Sequence, residues 1–316
     1  MVVQKHMNEH KEKIIVKYVT REYEGMRIDK YLSEVLNDYS RSFIQRIVRL
    51  DGILVNEKTI KNNYKVQDGD LLKISLPDLV EPEILPENIP LDIIYEDDDI
   101  IVVNKPKGMV VHPAAGHYSG TLVNALLYHC KENLSGINGV MRPGIVHRID
   151  MNTTGVLVAC KNDFSHNELS KQLEVHSIVR KYNAIVCNSF KITDGTVDAP
   201  IGRNTVDRKK MAIDHKNGKR AVTHYHVLEN FGKYAYIECQ LETGRTHQIR
   251  VHMHSIGHPL LGDDVYGNSK SAFHLEGQTL HARVLGFIHP RTGKYMEFEA
   301  KLPEYFEHLL SVLKQQ

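Results

Sequence analysis

His147-Arg148-Ile149-Asp150-Met151-Asn152-Thr153-Thr154-Gly155 runs directly into Val156-Leu157-Val158-Ala159. A short apolar run bounded by glycine and hydroxylated residues predicts a strand buried on both faces. The polar segment therefore lies at the mouth of a buried strand, with Asp150 between an arginine and a set of small, turn-forming residues. Taken alone, Asp150 admits two readings. A carboxylate ahead of Asn-Thr-Thr-Gly caps a turn by accepting backbone N–H bonds, or it acts on a substrate if a partner holds it ionised.

Outward from this segment the chain is rich in strands. From about residue 91, strands are predicted over 92–95, 100–104, 155–160, 178–187, 221–229, 233–241, 280–288 and 294–299, with helices near 121–130, 164–174, 246–256 and 303–313. Strands adjoin strands across short turns such as Glu96-Asp97-Asp98-Asp99 and Glu229-Asn230-Phe231-Gly232. That order predicts an α+β domain, a mixed and mainly antiparallel central sheet with flanking helices, rather than alternating βαβ units. Two further polar clusters interrupt its strands: Arg180-Lys181-Tyr182-Asn183-Ala184, and Glu242-Thr243-Gly244-Arg245-Thr246-His247-Gln248-Ile249-Arg250-Val251-His252. Alone, Tyr182 reads as an aromatic packing a sheet and Arg245 as a structural ion-pair partner.

A smaller module precedes this domain. Ile28, Tyr31, Leu32, Val35 and Leu36 share one helical face, and Phe43, Ile44, Ile47 and Val48 form the stripe of a second helix that Ser40 can cap. Asp51-Gly52 and Asp68-Gly69 then turn into Ile53-Leu54-Val55 and Leu71–Leu76. The predicted organisation is a tail over 1–13, a small α/β domain over 14–77, a linker over 78–90 and a large domain over 91–316. Three prolines between Pro77 and Pro86 make the linker extended and poorly packed, so that the domains move relative to each other.

A net charge of +1 conceals local asymmetry. Residues 39–65 hold six basic side chains against two acids, and residues 200–222 hold seven against two. Concentrated positive charge on a near-neutral protein predicts a polyanionic partner meeting part of the surface. No window approaches the roughly 18 apolar residues of a membrane span, and the polar start lacks the apolar core of a signal peptide. Cys130, Cys160, Cys187 and Cys239 are scattered, as buried free thiols are in a reducing compartment. The expectation is a cytoplasmic monomer.

The small module resembles the S4 RNA-binding domain through Arg27-Ile28-Asp29-Lys30-Tyr31-Leu32, Ser40-Arg41-Ser42, Asp51-Gly52-Ile53-Leu54-Val55-Asn56 and Asp68-Gly69-Asp70. The large domain resembles the RluA family of RNA pseudouridine synthases across essentially all of 85–300. The resemblance is carried by Asn104-Lys105-Pro106-Lys107-Gly108 with Val111-His112-Pro113, the Asp150 segment, the two polar clusters above, and His258-Pro259-Leu260-Leu261-Gly262-Asp263. Ile149 stands where the family more often has Leu, which removes no functional group. With Leu241-Glu242-Thr243-Gly244-Arg245-Thr246-His247-Gln248 and the S4-like module, the chain looks most like the D-type branch, whose members act on a hairpin loop of large-subunit ribosomal RNA. The resemblance implies a pseudouridine synthase fold and isomerisation of uridine in RNA. It makes Asp150 the nucleophile, Arg245 its basic partner, Tyr182 the ring that meets the base, and Arg148 the residue that fills the space of a flipped-out nucleotide. It also implies that Arg27, Lys30, Arg41 and Arg46 face RNA.

Neither metal nor cofactor is expected, since the reaction is redox-neutral. The sequence holds no phosphate-cradling Gly-x-x-x-x-Gly-Lys-Ser/Thr, no dinucleotide Gly-x-Gly-x-x-Gly and no His-Glu-x-x-His. Three alternatives stay open: the same reaction at another ribosomal or transfer RNA site, an RNA-binding assembly factor without catalysis, and a glycosidic-bond hydrolase pairing Asp150 with Asp263.

Overall fold

The computed structural model describes residues 13–36, 39, 41–76, 84–114, 116–131, 133–137, 143–208, 210–267 and 273–315. The chain divides into two compact units, Met1–Glu81 and Pro82–Gln316. The tail expected over 1–13 lies outside the described residues except for Lys13, as do the capping role of Ser40 and the part of the expected linker up to residue 83.

The smaller unit runs β1 (Lys13–Tyr18), α1 (Ile28–Val35), α2 (Arg41–Arg49), β2 (Ile53–Val55), β3 (Lys58–Thr59) and β4 (Leu71–Leu76). Its sheet has the order β1-β4-β2-β3. Ile28, Tyr31 and Leu32 of α1 and Ile44, Ile47 and Val48 of α2 are buried, as their helical spacing requires, against Ile53, Val55, Leu72 and Ile74. The strand β1 was not legible as such: it is an edge strand whose Ile14, Val16 and Tyr18 are exposed.

Asp29 is the polar pivot of this unit. Its carboxylate is fully buried and accepts Nε and Nη2 of Arg27, Nε of Arg41 at 3.1 Å, and Nε2 of Gln45 at 2.6 Å. Burial pushes its pKa up, but the donors of Arg27, Gln45 and Arg41 outweigh that and hold it at about 2. A folded value below the ordinary carboxylate value stabilises the fold at neutral pH, and that stability is lost as pH falls through about 2. Asp29→Asn is expected to cost about 1–2 kcal/mol at pH 7, discounted for the half-exposed arginines. In urea titrations the gap to the parent should narrow between pH 4 and pH 2; a gap independent of pH would contradict the ionised role.

The larger unit continues with β5 (Ile93–Glu96), β6 (Ile100–Lys105), α3 (Leu122–Cys130), β7 (Thr154–Cys160), α4 (Asp163–Glu174) and β8 (Val179–Cys187). Next come β9 (Asp194–Asp198), β10 (Ile201–Arg203), β11 (Met211–Ile213), β12 (Val222–Phe231), β13 (Tyr234–Leu241) and α5 (Gln248–Ser255). The last elements are β14 (Leu280–Ile288), β15 (Tyr295–Glu299) and α6 (Glu304–Lys314). The main sheet has the order β5-β6-β7-β14-β8-β13-β12-β9, with β15 also paired to β14. Among the described pairings only β7–β14 is parallel, so the sheet is mixed and mainly antiparallel. Every residue of β7 is buried, the outcome expected of an apolar strand at the centre of a sheet covered on both faces. The strands β9, β10 and β11 were not expected: they are only three to five residues long, β9 at the sheet edge and β10 with β11 in a separate hairpin.

Residues 84–90 correct one expectation. They do not form a poorly packed linker, because Ile84 is buried in the core of the larger unit and Ile89 packs against it. Asn124 fixes the segment by donating Nδ2 to the Leu85 carbonyl, and Glu87 N donates to the Asn124 carbonyl. The same Asn124 completes a capping box with Thr121 at the start of α3. A side chain that caps a helix and holds the incoming segment gives this stretch its fixed path.

Candidate active site

The Asp150 segment is a turn, and β7 begins as it ends: Thr153 N donates to the Asp150 carbonyl at 3.0 Å. The turn reading and the chemical reading of this acid are thus compatible, because its backbone closes the turn and its carboxylate does not. Two neighbours brace the segment. Lys105, at the end of β6 and almost fully buried, donates Nζ to the carbonyls of Pro106, Met109 and Met151 at 2.8, 2.8 and 2.9 Å. Three acceptors match the three N–H bonds of an ammonium. Burial drags the Lys105 pKa down to about 7, with Asp150 pulling it back up. His147 accepts Val158 N–H at Nε2, 3.1 Å, and burial together with Arg180 lowers its pKa to about 3, so the ring is neutral. Gly155 has a φ of 110°, and a Cβ there would lie 2.2 Å from the Ala282 carbonyl. Glycine is needed for β7 to lie against β14 directly behind the turn.

The cavity beside this turn has a volume of about 300 Å³ and gathers Arg148, Asp150, Tyr182 and Arg245. That is the lower end of the range for small-ligand clefts. Tyr182 comes from the middle of β8, paired with Ala282 on one side and Cys239 on the other, and is mostly buried. Burial pushes its phenol up from the ordinary value, Arg180 pulls it back and Asp150 adds to the rise, so the hydroxyl is protonated at neutral pH. Arg180, two residues earlier on the same strand face, also lines the cavity, and its Nη2 donates to the Glu242 carbonyl at 2.8 Å. Its buried Nε has no hydrogen-bond partner among the described residues. Gly244 makes room for it, since a Cβ there would stand 2.7 Å from Nη1. Arg148 is exposed at the cavity rim.

The expected pairing of Asp150 with Arg245 is not what the fold provides. Arg245 precedes α5, and its Nε donates to the Arg220 carbonyl at 2.9 Å. The guanidinium that reaches Asp150 is that of Arg250, inside α5, with Nη1 3.0 Å from Oδ2. Arg250 is 5% exposed, and its Nε and Nη2 form a fork on Asp263 at 2.7 and 2.9 Å. Asp263 also accepts the backbone N–H groups of Val265 and Tyr266. Burial pushes Asp263 up, but Arg250 and those amides hold it below the usual carboxylate range. With its oxygens so engaged, Asp263 is no free acid for a hydrolase pair. Asp150 Oδ1 has no hydrogen-bond partner among the described residues, while both close contacts, to Arg250 and to His247 Nε2 at 3.9 Å, are made by Oδ2.

Of the small-unit residues, Arg27 and Arg41 are tied to Asp29 while half exposed, and Lys30 pairs with Glu34 at 3.7 Å. Arg46 is exposed on α2, and its side chain has no partner among the described residues. One group among the described residues has the closeness of a metal site: Asp97, Asp99 and His289. Its atoms serve one another and their neighbours, since Asp97 takes Tyr95, His289 and two backbone amides, and Asp99 takes a bidentate Arg291. This is a staple between the β5–β6 turn and the end of β14. Lys105, Arg180 and Arg250 stand in the recognised motifs without an expected role, and His247 was expected only to hydrogen-bond or face RNA; the three-residue spacing of His247 and Arg250 was the available signal.

A mixed sheet thus places an acid, an arginine fork and a tyrosine around one cavity, and comparison with known proteins identifies the class. Residues 99–255 match the family model described as RNA pseudouridylate synthase, and residues 26–72 match the S4 domain. An uncharacterized RNA pseudouridine synthase, YlyB of Bacillus subtilis, is 53% identical over 93% of this chain and 96% of its own length. The ribosomal large subunit pseudouridine synthase D of Zymomonas mobilis is 48% identical, again over 93% of this chain and 96% of its own. The structure of human RNA pseudouridylate synthase domain containing 4 superposes with a TM-score of 0.56 at 28% identity, covering 70% of this chain and 92% of that one. The chain belongs to the RNA pseudouridine synthase family and is an isomerase acting on RNA, with an S4 domain at its N-terminal side. No helix among the described residues is long and apolar enough to cross a membrane.

Proposed function

We propose that this enzyme converts specific uridines of large-subunit ribosomal RNA to pseudouridine, acting in the cytoplasm as a monomer with Asp150 as nucleophile. The observation that carries the chemistry is the partly exposed Asp150 carboxylate in the cavity, with Oδ2 held by Arg250 and Oδ1 unengaged among the described residues. The RNA target is supported by several relatives named ribosomal large subunit pseudouridine synthase D at 43–48% identity.

In this reading the target nucleotide leaves its stack, which costs a few kcal/mol. Arg148 takes the vacated space, its planar cation suited to stacking and to phosphate. Arg250 holds Oδ2 of Asp150, which leaves Oδ1 for attack on the flipped nucleotide. The C1′–N1 bond breaks, the uracil turns against Tyr182, and C5 joins C1′ as the bond to the Asp150 carboxylate is released. A neutral Tyr182 takes the C5 proton only while releasing its own to water, and N1 takes up one proton, so Tyr182 acts as a relay rather than as a phenolate base. No oxidant, reductant or phosphate is consumed.

The test is to incubate the protein with transcripts of large-subunit, small-subunit and transfer RNA. Pseudouridine of unchanged mass in the large-subunit transcript, without free uracil, is the expected result. Modification confined to transfer or small-subunit RNA would overturn the target, and release of uracil would overturn the isomerisation.

The S4 unit supplies affinity in this reading through phosphates. Arg46→Ala is expected to weaken binding of the same RNA at low salt. It should make the slope of log affinity against log salt less steep by about 0.7–0.9. An unchanged slope would take Arg46 off the RNA.

A further inference from the structure

His247 is the most unusual residue of the site outside the Asp150–Arg250 pair. It precedes α5 with a φ of 57° and ψ of 22°, left-handed for a residue that is not glycine, and its side chain does not cap the helix. Such backbone is kept where the surroundings hold it in place, often at functional sites. The ring is partly buried, with Nε2 3.9 Å from Asp150 Oδ2 and Nδ1 2.9 Å from the Tyr266 hydroxyl. Burial lowers the His247 pKa and Asp150 raises it; the ring is neutral at pH 7, with one N–H to place.

The neighbours decide which nitrogen carries it. The Tyr266 oxygen already accepts Met211 N–H at 2.8 Å, from the first residue of β11. Its own proton is therefore free to be donated to Nδ1, which leaves the imidazole N–H on Nε2. The other tautomer would aim an Nε2 lone pair at the carboxylate. Both contacts thus select the same form. Tyr266 is itself held: its N–H goes to Asp263, its ring lies 5.2 Å from the Arg250 guanidinium, and it packs in an apolar cluster with Ile201, Ala221 and Val251.

We propose that His247 is a positioning residue for Asp150, directing Nε2–H at Oδ2 because Tyr266 fixes the imidazole tautomer, with the β10–β11 hairpin holding Tyr266 through Met211. Arg250 and His247 then face the same oxygen, which stays fixed while Oδ1 is left for the substrate. The 3.9 Å separation closes to a hydrogen bond when the nucleotide fills the cavity. The hairpin lies in the most basic part of the chain, so RNA phosphates that settle on it steady the same chain of contacts.

The inference rests on Asp150 being the nucleophile, and the experiment separates the two. Multiple-turnover pseudouridine formation is measured on total ribosomal and transfer RNA from cells lacking the protein, with Asp150→Asn, His247→Gln, His247→Asn and Tyr266→Phe alongside the parent. Gln carries a donor at the place of Nε2, whereas Asn fills only the place of Nδ1. His247→Asn is expected to lower kcat roughly 10- to 100-fold with KM within about 2-fold, and His247→Gln to recover most of that loss. Tyr266→Phe should lower kcat about 10-fold and leave KM alone. A purely structural role predicts the reverse order, because Asn tolerates left-handed backbone better than Gln. The proposal fails if His247→Asn turns over as fast as His247→Gln, or if Tyr266→Phe matches the parent. Should His247→Asn not fold, Tyr266→Phe decides alone. Turnover by Asp150→Asn would instead overturn the nucleophile, whatever the His247 variants do.

Discussion

Asp150→Asn is expected to abolish pseudouridine formation, by at least roughly 10⁴-fold in single turnover, while RNA binding stays within a few-fold of the parent. The amide has the size of the carboxylate and can present its oxygen to Arg250 Nη1, which lies 3.0 Å from Oδ2. Arg250 also keeps its fork on Asp263. The fold should therefore lose no more than about 1 kcal/mol. What the amide lacks is a charged oxygen able to form a bond to the nucleotide. A structural turn-former would behave otherwise, since the Thr153 N–H bond goes to the Asp150 backbone carbonyl and survives the substitution. The measurement is the yield of isomerised uridine set against filter-bound RNA. Retention of more than a hundredth of the parent rate would remove Asp150 from the covalent step.

The turn around Asp150 was legible because its neighbours are short-range: an apolar strand, a glycine that must lie against another backbone, and hydroxylated residues between them. The partner of the acid was not, for a reason that lies in α5. Arg245 and Arg250 stand in one run of sequence, and the resemblance placed the pairing on the first. The fold starts α5 at Gln248, which leaves Arg245 in the preceding loop beside Arg220 and puts Arg250 on the buried side of the helix. Only the three-residue spacing of His247 and Arg250 hints that these two point the same way. Asp263 was seen as a candidate acid, and nothing beside it in sequence reveals that Arg250, thirteen residues earlier, already occupies it. The small unit shows the same limit. Arg27 and Arg41 were expected to face RNA, while Asp29, which organises both, looks in sequence like an ordinary first-turn acid. The strands β6 and β7 were read to within a residue because their burial leaves a nearly continuous apolar record. The strands β9, β10 and β11 carry no such record, being short and half exposed.

Arg250→Met is expected to lose both the reaction and a large part of the stability, about 3–5 kcal/mol, because it removes one partner of a buried ion pair. Arg250 bridges two acids in different surroundings: Asp263 is fully buried, and Asp150 is 20% exposed. Without the guanidinium, Asp150 can turn to water, but Asp263 retains only the Val265 and Tyr266 amides. Burial then dominates Asp263, whose pKa rises toward and past its ordinary value, so it takes up a proton on folding. The stability of the variant should therefore increase as pH falls from 7 toward 5, opposite in sign to an acid held ionised by its partner. Arg250→Lys should fall between, since one ammonium cannot form the fork on Asp263 and reach Asp150 together. The pair Arg250→Met with Asp263→Asn separates the two roles. Removing the stranded charge should restore about half or more of the lost stability, whereas turnover should stay down by at least roughly 100-fold because Asp150 still lacks its cation. Urea titrations at pH 5 and pH 7, run beside single-turnover assays, measure both quantities. A double variant that regained activity along with its fold would show that Arg250 acts on the reaction only by holding Asp263.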